Sequence, residues 1–223
     1  MRAAYFDVDG TLTATNIVMP LIWYKSKLCS APAAFFWKLS LAVRGPYWFV
    51  LDRLDRAASN RAIYSNYAGM DSAAVKILAG EYYRSHLKPR IIPQALERLT
   101  ALKREDVRIV LVTGGLDIVM QPLAEELGAI CIAPALADNG RHFTGELATG
   151  AISGGRKAQA VAEHARAHGI DLAASFAFGD SFEGDLAMLE AVGHPSAVNP
   201  DRRLAKIATA RGWAVERWRR RGK

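Results

Sequence analysis

Three short apolar runs, each closed by small or polar residues, recur along this chain of 223 residues. They occupy residues 3–8, 107–112 and 175–178, and each is followed sooner or later by a segment with helical periodicity. Continuous apolar runs of this length are typical of parallel strands that are buried on both faces. The pattern therefore predicts an α/β fold with a Rossmann-like parallel sheet and helices on both faces. In such folds the functional side chains gather at the carboxyl ends of the strands.

The connecting segments carry helix and turn signals. We expect helices in three of them, at 94–104, 157–168 and 186–192. Gly169 follows the second of these helices and is expected to cap it, because glycine readily adopts the left-handed conformation that ends many helices. The Asp-Asn-Gly turn at 138–140 predicts a β-hairpin within 135–147.

The interval between the first two apolar runs is far too long for a simple crossover and has almost no β pattern. It therefore predicts a helical insertion. We expect a core domain formed by residues 1–13 and 93–223, and an inserted cap domain formed by residues 14–92. Pro32, Gly45-Pro46 and Gly69 are expected to divide the cap into four helices, at 17–27, 33–43, 47–57 and 72–85.

The chain carries a formal net charge of +7 and has an isoelectric point near 9.6. A basic chain suits anionic partners, namely phosphate esters, nucleic acid or an anionic membrane surface. The basic residues are dispersed and form no nucleic-acid recognition module, so no nucleic-acid partner is expected. We interpret one terminal basic cluster as a solvated tail in preference to a headgroup contact: Arg217, Arg219, Arg220, Arg221 and Lys223.

The two cysteines, Cys29 and Cys131, lack the spacing of a zinc site and are too few for a disulfide framework. This usage fits a reducing cytoplasm, and the first residues do not have the pattern of a signal peptide. Basic residues interrupt every apolar run between 20 and 50 well before the ~20 residues that a membrane span requires. We therefore expect a cytoplasmic location without a spanning segment. His164 and His168 are expected at the surface.

The strongest chemical signal is the segment 7–13, Asp-Val-Asp-Gly-Thr-Leu-Thr. Gly10 permits a sharp turn, so Asp7 and Asp9 can take separate roles, one as a nucleophile and the other as a carrier of protons. An ionised carboxylate attacks phosphorus only where a cation offsets the repulsion between two anions, so the pair implies a metal. The alternative interpretations of this segment are a plain turn at the end of a strand and a calcium-binding loop. The residues that follow are apolar, however, where an EF-hand needs oxygen ligands.

Two further segments carry groups that can contact a phosphate. The hydroxyl of Thr113 and the amide of Gly114 can donate hydrogen bonds to phosphate oxygens, although such turns are common. Lys157 follows a glycine-rich loop at the start of a predicted helix. Its ammonium group can neutralise phosphoryl oxygens, whereas a solvated surface lysine is the ordinary alternative.

The third apolar run is followed by Asp180, and Asp185 comes five residues later. Magnesium prefers oxygen ligands and keeps several waters, so Asp180, Asp7 and one backbone carbonyl would suffice to bind it. Asp185 would then orient Asp180 or Lys157. The sequence therefore predicts a magnesium site at the ends of the first and third strands.

In this order the motifs resemble the four motifs of the haloacid dehalogenase superfamily of phosphohydrolases, and the resemblance covers the whole chain. The long helical insertion is similar to the C1-type cap of subfamily IB, the phosphoserine-phosphatase-like enzymes. Residues 198–201 are similar to the stretch that follows the fourth motif in those enzymes. The motif residues are Asp7 and Asp9, Thr113, Lys157, and Asp180 with Asp185.

The resemblance implies a magnesium-dependent phosphomonoester hydrolase. Asp7 would form an aspartyl-phosphate, and Asp9 would protonate the leaving alcohol and then activate water. Asp9 also favours phosphate chemistry, because the dehalogenase members lack this second acid. The phosphate would be held by Thr113 and Lys157, together with the Gly114 amide. Magnesium would be bound by Asp7, the backbone carbonyl of Asp9, and Asp180, with Asp185 in support.

The expected substrate is a small-molecule or lipid-headgroup phosphate. Residues 14–20 are largely apolar and offer no clear counterparts of the charged residues that recognise phosphoserine, so phosphoserine is not the first choice. Aromatic and basic residues occur together in the cap, which suits either a small cap core, the favoured interpretation, or peripheral contact with an anionic bilayer. They are Trp23, Tyr24, Phe35, Phe36, Trp37, Tyr47, Trp48 and Phe49, with Lys25, Lys27, Lys38, Arg44 and Arg53.

Two alternative functions use the same features. A phosphotransferase or mutase would pass the phosphoryl group of the aspartyl-phosphate to another hydroxyl, depending on how well the cap excludes water. A non-catalytic, membrane-associated binding protein would retain the fold and use the aromatic cap, but it would have no chemical reason to keep every acid and the lysine. The sequence carries no signal for the oligomeric state.

Overall fold

The computed structural model describes residues 1–219, which form a parallel sheet flanked by helices. The strands are β1 (Ala3–Phe6), β2 (Arg108–Val112), β3 (Ile130–Ile132), β4 (Leu136–Asp138), β5 (Phe143–Leu147), β6 (Phe176–Gly179), β7 (His194–Val198) and β8 (Ala214–Glu216). The helices are α1 (Val18–Leu28), α2 (Ala31–Leu54), α3 (Arg56–Tyr64), α4 (Ser72–Tyr82), α5 (Pro93–Arg104), α6 (Asp117–Glu126), α7 (Gly155–His168), α8 (Phe182–Glu190) and α9 (Arg202–Ala210). None of the helices in this part of the chain combines the length and the apolar content that a membrane crossing needs.

The main sheet has six strands in the order β3-β2-β1-β6-β7-β8, and all of its pairings are parallel. β1 lies between β2 and β6, so the chain leaves it toward one side of the sheet and later returns to its other side. Ligand sites of open α/β sheets form at such a switch in strand order, outside the carboxyl ends of the strands. The predicted α/β fold is therefore confirmed.

The sheet is covered on both faces. Phe6 belongs to one apolar cluster and its neighbour Tyr5 to the other, because successive strand residues point to opposite sides. Helices α5 and α6 pack on the face of Phe6, whereas α7, α8 and α9 pack on the face of Tyr5. The cluster of Phe6 also includes side chains of the insertion, such as Tyr24 and Tyr67. One core is thus shared between this face of the sheet and the inserted helices.

Strands β3, β7 and β8 were not predicted from the sequence. β3 and β8 have three residues each and are partly exposed, and β7 begins with His194-Pro195. Runs of this length and composition show no clear apolar period. Their pairing with neighbouring strands, and not their own propensity, makes them part of the sheet.

Helix α2 corrects the prediction for the insertion. A break was expected at Gly45-Pro46, but α2 continues through both residues over 24 positions. Proline removes one helical N–H donor, yet Pro46 is exposed, so water can satisfy the carbonyl that loses its partner. Trp48 on the other side of the helix is buried, and such packing outweighs the local cost. The helix ends instead at Asp55, whose carboxylate accepts a hydrogen bond from the Ala58 N–H at 2.9 Å and starts α3.

The predicted hairpin is confirmed as β4 and β5, which form a separate antiparallel sheet. This hairpin contacts the insertion. The Gly69 N–H donates to the Phe143 carbonyl at 2.9 Å, and the Phe143 N–H donates to the Met70 carbonyl at 3.0 Å. The hairpin therefore packs against the inserted helices, on the same side of the sheet.

Trp218 differs from the solvated tail that was expected. Its side chain is buried, with the ring centroid 6.0 Å from that of Phe178, and its backbone N–H donates to Asn199 Oδ1 at 3.0 Å. Arg217 and Arg219 on either side of it are exposed. The other members of that basic cluster, Arg220, Arg221 and Lys223, lie outside the described residues.

The expectation that His164 lies at the surface is wrong. His164 is buried on the inner side of α7, and its Nδ1 lies 3.1 Å from the Tyr5 hydroxyl oxygen. The two rings meet edge to face, and the His168 ring stacks on the His164 ring at a centroid distance of 4.4 Å. The end of α7 agrees with the sequence, since Gly169 adopts the left-handed conformation and caps it.

Candidate active site

The carboxyl ends of β1, β2 and β6 meet at one edge of the sheet, and each is followed by a residue of the predicted site. Asp7 follows β1, Thr113 follows β2 and Asp180 follows β6. The Asp7 N–H donates to the Phe178 carbonyl at 2.9 Å and so continues the strand pairing to the site. Adjacent parallel strands thus place these residues side by side.

Gly10 turns the chain beside Asp180. Its φ of +97° lies in the region that other residues rarely adopt. A Cβ atom at this position would lie 2.1 Å from Asp180 Oδ2. Only glycine therefore allows both the turn after Asp9 and the close approach of the Asp180 carboxylate.

Lys157 joins two acids at the floor of the site. Its Nζ donates to Asp7 Oδ1 at 2.5 Å and to Asp185 Oδ1 at 2.8 Å. All three side chains are almost completely buried. Lys157 is therefore not a solvated surface lysine. A buried ammonium between two carboxylates has its charge compensated on both sides.

Asp185 fixes the loop between β6 and α8. Its Oδ2 accepts hydrogen bonds from the backbone N–H groups of Asp180 and Ser181, at 3.1 and 3.0 Å. Its Oδ1 is bound by Lys157. A carboxylate with both oxygens occupied in this way holds its neighbours in position and is poorly placed to react.

The buried acids differ in their affinity for protons. Burial raises the pKa of Asp7 to about 7, and the charge of Asp185 adds to the rise, while Lys157 opposes it. Burial also raises the pKa of Asp180 well above its ordinary value, with a further contribution from Asp7. In Asp185 the effect of burial is outweighed by Lys157, so its pKa lies below its ordinary value. Carboxyl groups that are buried this close together can all be ionised only when nearby positive charge offsets their repulsion.

Asp9 faces the cavity from the turn after Asp7. Its Oδ1 accepts a hydrogen bond from Thr15 Oγ1 at 2.7 Å. Its Oδ2 is buried and has no hydrogen-bond partner among residues 1–219. Burial raises the pKa of Asp9, although the bond from Thr15 and the charge of Lys157 lower it. A carboxyl group with a raised pKa is suited to deliver and accept protons near neutral pH.

Thr113 lies beneath the cavity surface, whereas Gly114 lines the cavity. Thr113 is fully buried, and its Oγ1 accepts a hydrogen bond from the Gly115 N–H at 2.9 Å, which leaves its own proton free to donate. Gly114 lines the cavity, and its carbonyl accepts a hydrogen bond from the Tyr64 hydroxyl of α3. This contact ties the insertion to the end of β2.

Arg56 enters the site from the insertion and was not predicted from the sequence. Its Nη1 donates to Ser181 Oγ at 2.7 Å. Its Nε and Nη2 donate to the two carboxylate oxygens of Asp52 at 3.0 and 3.3 Å. The spacing of four residues between Asp52 and Arg56 was the available signal. Such pairs are ordinary on solvated helices, so the spacing did not indicate a site.

A cavity of about 480 Å³ lies between the sheet edge and the insertion. Its floor is polar and includes Asp7, Asp9, Lys157 and Asp180. Its walls are largely apolar and include Ile17, Val18, Leu41, Trp48, Phe49 and Ile63. A second cavity, of about 750 Å³, lies near the opposite end of β6 and β7 and contains none of the predicted site residues.

The acids of the floor fit a divalent cation. Asp7, Asp180 and Asp185 each offer a carboxylate oxygen, and these three oxygens lie within 4.8 Å of one another. Asp7 Oδ2 is buried without a hydrogen-bond partner in the part of the chain that the structure describes. An unpartnered anionic oxygen beside further acids is suited to a hard cation such as Mg2+. Asp7 and Asp180 are the available ligands, since Lys157 and two amides already occupy Asp185; a contribution from the Asp9 carbonyl stays a prediction.

Comparisons of sequence agree with this chemistry. The sequence model of the haloacid dehalogenase-like hydrolase family matches residues 4–190 of this chain. A probable phosphatase of Mycobacterium tuberculosis is 33% identical over 96% of this chain and 74% of its own length. The inhibition of morphological differentiation protein of Streptomyces azureus is 32% identical over 96% of this chain and 77% of its own length.

Comparisons of structure agree with the fold. A protein with unknown function from Bordetella pertussis has a TM-score of 0.81 at 22% identity, covering 96% of this chain and 97% of that one. A substrate-bound phosphoserine phosphatase has a TM-score of 0.70 at 18% identity, covering 97% of this chain and 92% of that one. At these identities the likeness concerns the fold alone. We conclude that the chain belongs to the haloacid dehalogenase-like hydrolase family and is a phosphatase with the fold of the phosphoserine phosphatases.

Proposed function

We propose that the protein hydrolyses phosphate monoesters through transient phosphorylation of Asp7, with Mg2+ as its cofactor. One observation carries this proposal: Asp7 Oδ2 and Asp9 Oδ2 are buried at the cavity floor without hydrogen-bond partners among residues 1–219. The Asp7 oxygen is free to attack phosphorus, and the Asp9 oxygen is free to exchange a proton with the ester oxygen.

Two displacements make up the proposed reaction. In the first, an Asp7 oxygen forms a bond to phosphorus, the bond from phosphorus to the alcohol oxygen breaks, and Asp9 gives its proton to the departing alcohol. In the second, Asp9 takes a proton from water, the water oxygen forms a bond to phosphorus, and the bond from Asp7 to phosphorus breaks. The products are the alcohol and inorganic phosphate, and both acids return to their initial state.

The other residues of the site have binding and positioning roles in this proposal. Lys157, the Gly114 amide and the Thr113 hydroxyl hold the phosphoryl oxygens. Asp7, Asp180 and the Asp9 carbonyl hold Mg2+, which offsets the repulsion between carboxylate and phosphate when it is bound. Asp185 positions Lys157 and the loop of Asp180, as its hydrogen bonds to both support.

We also propose that residues 14–92 act as a cap domain over a core domain of residues 1–13 and 93–223. Helices α1 to α4 lie within that insertion. Two contacts of the insertion with the loops after β2 and β6 support its role as a cap, namely those of Tyr64 with Gly114 and of Arg56 with Ser181. A cap of this kind keeps water from the phosphorylated acid until the alcohol has left.

The proposed substrate is a phosphorylated small molecule or a lipid-headgroup phosphate, taken up in the cytoplasm or at its membrane surface. The cavity wall includes Ile17 and Val18, which favour an apolar leaving group. Three of the five N–H donors of Arg56 are bound by Asp52 and Ser181, and Asp52 offsets its charge, so Arg56 is poorly suited to bind the carboxylate of an amino acid. These features favour a substrate other than phosphoserine.

The test is phosphate release from soluble and lipid phosphomonoesters, measured with Mg2+ or with EDTA. Asp7→Asn is expected to lower turnover at least about a thousandfold, because the nucleophile is lost. Asp106→Asn is the matched control, since Asp106 is exposed and is not part of the cavity lining. Equal release by wild type and Asp7→Asn would refute the proposal. Transfer of phosphate to added glycerol in place of water would identify a phosphotransferase.

A further inference from the structure

The outward face of α2 carries a continuous row of apolar side chains. Phe36, Leu39, Val43, Tyr47, Val50 and Leu54 recur at intervals of three or four residues, so they lie on one side of the helix. All six are exposed, whereas Trp48 on the other side is buried. We call these six residues the α2 stripe. At 24 residues, α2 is about 36 Å long.

Exposed apolar side chains are concentrated on this one helix. Among residues 1–219, twelve large apolar side chains are exposed, and eight of them are the α2 stripe together with Phe35 and Phe49. Single exposed apolar residues are ordinary, but a contiguous apolar surface of this extent marks a contact with a membrane or another molecule.

The charged side chains of helices α1 and α2 are mostly basic, and one of them, Lys27, is paired with Glu81 at 2.8 Å. Helices α1 and α2 contain five basic residues, Lys25, Lys27, Lys38, Arg44 and Arg53, and one acidic residue, Asp52. Asp52 is bound by Arg56 and is not available to other cations. An apolar face with aromatic residues and flanking cations is typical of helices that lie in the surface of an anionic bilayer.

The same helix lines the cavity with its other side. Leu41, Trp48 and Phe49 belong to the cavity wall. Phe49 both lines the cavity and is exposed, so it lies at the rim where the cavity opens to the outside of α2. A molecule held in a membrane under the stripe therefore has a short apolar route to the cavity floor.

We propose that the α2 stripe seats the protein on an anionic membrane surface and that its substrate is a lipid phosphomonoester taken from that surface. The proposal rests on the hydrolase function proposed above. The phosphate enters toward Lys157 and the acids of the floor, while the apolar part of the lipid contacts the cavity wall of α2. The protein lies on the membrane without crossing it.

A second copy of the chain fits the α2 stripe less well. Pairing two stripes would bring Lys38, Arg44 and Arg53 of one helix close to the same cations of the other. Like charges that are brought together across an interface weaken association. Anionic headgroups, in contrast, supply the missing negative charge along the whole helix.

The first test is sedimentation with vesicles of phosphatidylcholine mixed with phosphatidylglycerol. Val43→Asp and Ile77→Asp form a matched pair, because these side chains are 78% and 80% exposed and each lies on a helix of the insertion. Val43→Asp is expected to weaken vesicle binding about tenfold, and Ile77→Asp by less than about twofold. Equal loss in both variants, or no binding by the wild type, would overturn the proposal.

The second test separates the charge of the membrane from its apolar interior. Binding is expected to fall when phosphatidylglycerol is omitted and when salt is added, because screening weakens the attraction of the cations. Lys38→Glu is expected to weaken binding to the mixed vesicles at least about fivefold. Binding that is equal on pure phosphatidylcholine would contradict the anionic surface that we propose.

The third test distinguishes failure of membrane docking from failure of the hydrolase function. Wild type, Val43→Asp and Ile77→Asp are assayed on p-nitrophenyl phosphate in solution and on phosphatidic acid in vesicles. All three are expected to hydrolyse the soluble ester equally, while Val43→Asp alone loses hydrolysis of phosphatidic acid, about tenfold. No hydrolysis of either ester would refute the proposed function. Hydrolysis of the soluble ester alone by the wild type would refute the lipid substrate.

Light scattering provides the test against a second copy. The wild type without vesicles is expected to be a monomer at the concentration used for sedimentation. A dimer that becomes monomeric in Val43→Asp and not in Ile77→Asp would show that the α2 stripe is a protein interface, and it would overturn the proposal.

Discussion

Arg56 Nη1 lies 2.7 Å from Ser181 Oγ, so a side chain of the insertion contacts the loop that carries Asp180, although the two residues are 125 positions apart. Asp52 holds the same guanidinium through two further bonds. Arg56→Ala is therefore expected to lower kcat/KM at least about tenfold, since a charge-assisted hydrogen bond is lost and Asp52 is left without its partner. Steady-state kinetics on a soluble phosphomonoester measure the effect.

Arg56→Lys is the control for that substitution. A lysine keeps the charge but cannot reach Ser181 and both oxygens of Asp52 with one planar group, so an intermediate loss is expected. Wild-type kinetics in Arg56→Ala would show that the contact with Ser181 is dispensable.

Asp180 provides a test of the metal site that is independent of activity. Mg2+ is expected to raise the free energy of unfolding of the wild type, by about 2.7 kcal/mol at a concentration one hundred times its Kd. Asp180→Asn should abolish this gain. In EDTA the same variant should unfold at a higher temperature than the wild type, because a buried carboxylate beside Asp7 and Asp185 is replaced by a neutral amide.

Thermal unfolding with Mg2+ and with EDTA measures both effects of Asp180→Asn. Asp106→Asn, at an exposed position, should behave as the wild type in both conditions. A full Mg2+ response in Asp180→Asn would exclude Asp180 as a ligand.

Lys157 is expected to matter for stability as well as for turnover. Lys157→Met leaves Asp7 and Asp185 facing each other in a buried site, which should lower the free energy of unfolding by about 3–5 kcal/mol. Lys206→Met, on the exposed side of α9, should change it by less than about 0.5 kcal/mol. Urea denaturation measures both variants. If the two variants had similar free energies of unfolding, the two buried ion pairs of Lys157 would contribute little to stability.

His164 predicts a dependence of stability on pH. Burial lowers its pKa below the ordinary value of 6.5, with further effects from His168 and Arg108. Below that pH the unfolded chain binds a proton that the folded chain does not, so the free energy of unfolding should fall as the pH falls, by at most about 1.4 kcal/mol per pH unit. Urea denaturation of wild type and His164→Gln at about pH 7.5 and about pH 5.5 tests this. An unchanged pH dependence in His164→Gln would assign it to other groups.

The sheet and the acids of the cavity floor could be predicted because both follow from short, local sequence patterns. β1, β2 and β6 are continuous apolar runs, and Asp7 and Asp180 directly follow two of them. Arg56 could not be predicted, because its role depends on a contact with Ser181 that only the folded chain creates.

Helix α2 and Trp218 illustrate the same limit. The Gly45-Pro46 pair has a strong local tendency to end a helix, but exposure of Pro46 and burial of Trp48 outweigh it. Trp218 lies among arginines, and only its packing against Phe178 reveals that it is buried. In both cases contacts between distant segments decide the outcome, and local propensity carries no information about them.

The cavity lining has a consequence for the order in which ligands arrive. Asp7, Asp9, Asp52 and Asp180 line it together with two cations, Lys157 and Arg56. Its formal charge is therefore negative once Asp7 and Asp180, whose pKa values are raised, have released their protons, even while Asp9 keeps its own. A phosphate ester that reaches this lining first meets net repulsion at close range. A divalent cation reverses that balance, and the ester can then be attracted. We therefore expect compulsory-order kinetics, in which the cation enters before the ester and phosphate leaves before the cation.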